Sequence, residues 1–121
     1  MTEMQIKHLL SKYIFIQQEI EILKNYESCY KEPIASKYKK KEFYINLLSS
    51  AIKILDEKER FVIETHLINQ KTWLETTELY EGKCGILNRR SERTLKRIQS
   101  KALTKIWDFI TKLPIEIDDI E

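Results

Sequence analysis

The 121-residue chain is 42% hydrophobic and 33% charged, with only two glycines and two prolines. That excludes sandwiches and barrels, which need Gly/Pro-rich turns every ~8–12 residues, and Gly82 and Gly85 alone cannot build a Rossmann or P-loop glycine cluster. The formal charge of +2 is unevenly spread: residues 83–105 hold eight basic side chains against the single acid Glu92, a net of +7, whereas residues 106–121 net −4.

The first predicted helix spans about 2–30. Ile6, Leu9, Tyr13, Ile16, Ile20 and Leu23 step by threes and fours, and Tyr30 lies one heptad past Leu23. This is an a/d seam, with Leu10, Ile14 and Ile22 widening it. Two readings stay open: pairing with a second copy of the chain, or packing on its own domain. Pro33 ends the helix. Residues 31–41 form a polar connector, and its run Lys39, Lys40, Lys41 is either a solvated link or a phosphate contact.

A second helix is predicted over 42–55, with Phe43, Leu47, Leu48, Ala51, Ile52 and Leu55 on one face. Asp56 and Glu59 form a capping box, the Asp variant, opening a third helix over 57–69. Thr72-Trp73-Leu74-Glu75 is a second capping box, starting a short helix that Gly82 is placed to stop. After a loop over 83–90, Ser91 caps a fifth helix that runs to about Lys112, and Pro114 closes it. The remainder is an acidic tail. The expected architecture is all-α: an N-terminal long helix or helical hairpin (1–54), a helix-turn-helix (55–112) and the tail (113–121).

The fifth helix carries the functional signal. Leu95, Ile98, Ala102 and Ile106 share one face, while Arg93, Lys96, Arg97, Lys101 and Lys105 project elsewhere. A recognition helix needs this division, one side to seat on its scaffold and the other to approach the phosphates of a groove. Glu92, Arg93, Lys96 and Arg97 fall in the first two turns, where such a helix meets base edges. Arg89 and Arg90 precede it as backbone contacts, Ser91 caps it, and Lys101 extends the basic side. Lys71 and Thr72 open the short helix, whose free N–H groups suit a second phosphate. The expected partner is double-stranded DNA.

Leu55-Asp-Glu-Lys-Glu-Arg-Phe-Val-Ile, then Thr72-Trp-Leu-Glu, then Ser91-Glu-Arg-Thr-Leu-Lys-Arg-Ile and Lys101-Ala-Leu-Thr-Lys-Ile, resemble region 4 of sigma-70-type factors. Within that superfamily the segment is most similar to the ArpU/RinA-type late-gene activators of phages and prophages of Gram-positive bacteria. The resemblance covers residues 55 to about 110. It implies a sigma-region-4-like helix-turn-helix in a transcription activator of phage late genes, with host RNA polymerase as a further partner. Where that family has a short turn between the last two helices, this chain has the longer 82–90 stretch. The alternative is a protein–protein adaptor that binds polymerase or another regulator without specific DNA binding.

Other chemistry is thin. His8 and His66 have no metal-ligand spacing, and His66 reads as structural. Glu57, Glu59 and Glu64 read as caps and surface charges, and Trp73 and Trp107 as core anchors. No catalytic set, cofactor or metal is expected. Cys29 and Cys84 lack CxxC spacing, no signal pattern opens the sequence, and no apolar stretch approaches the ~20 residues of a membrane span. A cytoplasmic protein with free thiols is therefore expected.

Overall fold

In the computed structural model, residues 2–84 and 91–115 are described. Among them all regular structure is helical. The α-helices are α1 (Glu3–Ser11), α2 (Tyr13–Tyr30), α3 (Lys39–Ile52), α4 (Glu57–Val62), α5 (Trp73–Cys84) and α6 (Glu92–Thr111). A 3₁₀ turn, Ala35–Lys37, precedes α3, and a π-helical stretch, Ile63–Ile68, continues α4. The all-α expectation holds.

The single N-terminal helix expected over 2–30 is broken. A capping box between Thr2 and Gln5 starts α1, and the chain leaves helical geometry at Lys12. The Ser11 hydroxyl donates to the His8 carbonyl at 2.7 Å, sharing that acceptor with the Lys12 N–H at 3.2 Å. The two pieces serve different neighbours. α1 packs on α6 and the π stretch, while α2 packs on α3. One straight rod cannot face both. The seam residues Ile6, Leu9, Ile16 and Ile20 all lie in the chain's own core, with Tyr13 and Leu23 packed at its margin.

The chain leaves α2 at Lys31 with a left-handed φ of 52°, two residues before Pro33. The Lys39–Lys41 run, read as connector, instead forms the first turn of α3, where Lys41 bonds Glu19 of α2. Phe43, expected on the inner face, is exposed, and Tyr44 and Ile45 take its place in the core. α3 ends at Ile52, earlier than expected.

Asp56 starts α4 with the anticipated capping box. Its carboxylate accepts from the Glu59 N–H at 2.8 Å, and Glu59 accepts from the Asp56 N–H at 3.1 Å. Arg60 reaches back to the Leu55 carbonyl at 3.1 Å and so satisfies an acceptor just past the end of α3. The Leu55, Glu59 and Arg60 positions therefore build one corner, with Leu55 buried beneath it.

The chain then turns at Gln70, in left-handed geometry with φ 55°. The Thr72–Glu75 box opens α5 as expected. Gly82 does not stop that helix, which continues through it to Cys84. A glycine at a helix end permits a left-handed cap but does not impose one. Ser91 caps α6 by accepting from the Thr94 N–H at 3.3 Å.

α6 is the central strut, packing on α1, α3, α4 and α5. Ala102, Leu103, Ile106 and Ile110 enter the main core with Ile6, Leu48 and Ile63. Leu95 joins Val62 and Tyr80 in a second cluster beneath the start of the helix. Among the described residues no helix is long and apolar enough to cross a membrane.

Candidate nucleic-acid interface

The inner face of α6 follows directly from its sequence: Leu95, Ala102 and Ile106 are fully buried and Ile98 is half-buried against the second cluster. That fixes the opposite face outward. Arg93, Arg97 and Lys101 stand there at i, i+4 and i+8, all exposed. At 1.5 Å per residue they make a ridge about 12 Å long. Among the described residues none of the three has an ion pair.

The rest of the basic block is less free than its composition implied. Lys96 meets Glu92 one turn back at 3.3 Å, an i,i+4 pair of exposed side chains. Lys83 lies 3.7 Å from Glu57. Lys105 donates at 2.7 Å to Glu59, a carboxylate only 2% exposed. That hydrogen bond, opposed by partial desolvation, raises the Lys105 ammonium above its ordinary pKa. Lys105 is thus part of the α4–α6 corner and not of the outward face.

The carboxylates also set the length of the cationic ridge. Thr104 donates to Glu3 of α1 at 3.0 Å, so α1 borders the outer face beyond Lys101. Asp56 lies close enough to feel both Lys101 and Lys105, and its carboxyl is held below the usual range, chiefly by the Glu59 N–H. The outward face is basic over its first three turns and bordered by acids thereafter.

The start of α5 is brought beside that face. Lys96 Nζ sits 5.8 Å from the centre of the Trp73 ring, and Trp73 stacks on His66 with centroids 3.6 Å apart. His66 Nδ1–H donates to the Lys71 carbonyl at 2.8 Å. Burial pushes the imidazole below its usual 6.5, and the charges of Lys7 and Lys96 push the same way. Lys71 and Thr72 are exposed at this junction.

The N–H groups expected to be free at this helix start are partly spoken for. The Lys71 N–H donates to the Thr65 carbonyl at 3.1 Å, the Thr72 N–H to Glu75 at 3.2 Å, and the Glu75 N–H to the Thr72 hydroxyl at 3.1 Å. The Thr72 N–H holds the Glu75 carboxyl below its usual pKa. A negative charge of the chain's own therefore occupies the end of the helix dipole. Lys71 is left to act through its side chain.

Of the residues singled out from sequence, Lys71, Thr72, Ser91, Glu92, Arg93, Lys96, Arg97 and Lys101 are all exposed, and the fold brings Lys96 of α6 beside Trp73 at the start of α5, while Lys101 lies toward Asp56. Arg89 and Arg90 lie outside the described residues. Lys7 was missed. It belongs to α1 and reaches the same junction only through the fold, as its effect on His66 shows. Trp107, expected as a core anchor, is 37% exposed. Trp73 is half-buried and anchors the junction through its stack on His66.

No family model, curated protein or solved structure matches the chain. Among the described residues no three His, Cys, Asp or Glu side chains cluster as a metal site would require.

Proposed function

We propose that this protein binds double-stranded DNA in a sequence-specific way and regulates transcription, presenting the first three turns of α6 to the major groove. One observation carries the reading: the Arg93–Arg97–Lys101 ridge is exposed and unpaired among the described residues, on a helix whose other side is locked into two clusters of the core. Three cations in a row, of which only Lys101 lies near a carboxylate, that of Asp56, repel one another, and a polyanion relieves the repulsion. Arginine adds the ability to bridge guanine O6 and N7. Lys71 and Lys96 supply phosphate contacts beside the ridge, with Arg89 and Arg90, just ahead of α6 in sequence, as further contacts. The resemblance to sigma region 4 extends the proposal to an ArpU/RinA-type activator of phage late genes.

The test is fluorescence anisotropy on duplexes from upstream of the gene's neighbours, over a series of salt concentrations. If about six cations meet phosphates, log K against log salt has a slope of about −5. Arg93→Ala combined with Arg97→Ala is expected to weaken binding at least tenfold and to flatten the slope by about 2. Binding that is insensitive to salt and unchanged in that double variant would overturn the reading. The adaptor reading draws on Leu74 and Leu79, which are exposed on α5. Capture of host RNA polymerase that survives nuclease, without DNA affinity, would favour it instead.

A further inference from the structure

The face of α2 turned away from the core differs from the rest of the surface. Phe15, Gln18, Ile22, Asn25 and Cys29 are all exposed, Phe15 and Ile22 each to 67%. They step by three, four, three and four residues, the spacing of an a/d seam. At about 100° per residue they lie opposite Ile16, Ile20 and Leu23, which face the core. None of the five is charged, in a chain that is 33% charged. At one margin of the stripe Glu19 is drawn off to Lys41 of α3, while at the other margin Glu21 stands exposed.

We propose that this stripe is where two copies of the chain associate, α2 against α2 in parallel. In a parallel pair each layer meets its own kind. Phe15, Ile22 and Cys29 form apolar layers at one seam position, and Gln18 and Asn25 form amide layers at the other. A side-chain amide both donates and accepts, so each Gln18 and each Asn25 satisfies its counterpart. An antiparallel pair sets Ile22 against Asn25 and Gln18 against Cys29, which leaves buried amides without partners, at a desolvation cost. Polar residues at such positions select register and orientation at the expense of strength. From Phe15 to Cys29 the stripe runs about 21 Å, which belongs with smaller, concentration-dependent interfaces. The association does not depend on DNA binding and is read without it.

Sedimentation velocity of the full chain in reducing buffer, from about 1 μM to 1 mM, is expected to show a monomer–dimer equilibrium with a midpoint of tens of micromolar. Ile22→Asp places a charge in the middle layer and is expected to raise that midpoint at least tenfold, with an unchanged circular dichroism spectrum because Ile22 lies outside the core. In a Cys84→Ser background, oxidation with copper–phenanthroline above the midpoint is expected to link Cys29 to Cys29. Facing seam positions of a parallel pair lie within the ~4.4–6.8 Å Cα separation that a disulfide spans. A chain that stays monomeric throughout, or a dimer indifferent to Ile22→Asp, overturns the proposal. A dimer lost with Ile22→Asp but never linked through Cys29 overturns the parallel arrangement.

Discussion

Glu59 is a carboxylate with three tasks: it accepts from the Asp56 N–H, its own N–H donates to Asp56, and it accepts from Lys105. A carboxylate this buried is costly unless paired. Lys105 meets that demand and is thereby subtracted from any DNA-facing set. The raised Lys105 pKa means that its contribution to stability is full below the ordinary lysine value and is lost only as pH rises through the raised one. The pair is therefore intact at neutral pH. His66 behaves in the opposite sense. Burial favours its neutral form, so its contribution is full above the usual 6.5 and is lost as pH falls through the lowered value. Lys7 and Lys96 disfavour its protonation, while Glu92 and the Lys71 carbonyl favour it. In a Trp107→Phe background, which leaves Trp73 as the only indole, acidification is expected to quench emission as the stacked imidazole charges, with a midpoint below 6.5. A midpoint at or above 6.5 would mean that the His66–Trp73 stack does not hold in solution. The His66–Trp73 stack was not visible in the residues beforehand, because the two meet only after the chain has turned at Gln70.

Helix starts and helix ends were not equally legible. Asp56, Thr72 and Ser91 each begin a helix as their capping patterns indicate, since the interaction closes within three residues and needs nothing distant. Endings depend on what lies beyond. Gly82 sits inside α5, exposed, with open space where a Cβ would stand. A glycine there carries only its entropic cost, so Gly82→Ala is expected to stabilise the chain by about 0.5–1 kcal/mol, read as a higher urea midpoint. Destabilisation would place the residue in a non-helical conformation. The break at Lys12 escaped the heptad pattern for a related reason. The seam continues through it without a fault, and only the separate packing partners of α1 and α2 require the chain to bend. The outer stripe of α2 also has heptad spacing, and which of the two stripes faces inward is not a property of the helix alone.

At the scale of the molecule, the basic ridge of α6 rests on segments far away in sequence. Ala102, Leu103, Ile106 and Ile110 of α6 share one core with Ile6, Leu9 and Leu10 of α1 and with Leu48 and Ala51 of α3. A fragment beginning at Leu55 would strip α1 and α3 from these α6 side chains and leave them only the α4–α5 side of the core. It is expected to lose cooperative thermal unfolding and amide dispersion while the full chain keeps both. A fragment that folds cooperatively would show that residues 55–115 carry a sufficient core of their own. The amino-acid order alone determined the all-helical class, the capped starts of α4, α5 and α6, and the two-sided character of α6, because these follow from contacts between residues a few positions apart. Tertiary packing decided which cations remain available. Glu59 claims Lys105 from 46 residues away, and Glu3 reaches the same helix at Thr104 from 101 away. A charge count records how many cations a segment has, whereas their availability depends on which carboxylates the fold brings within reach.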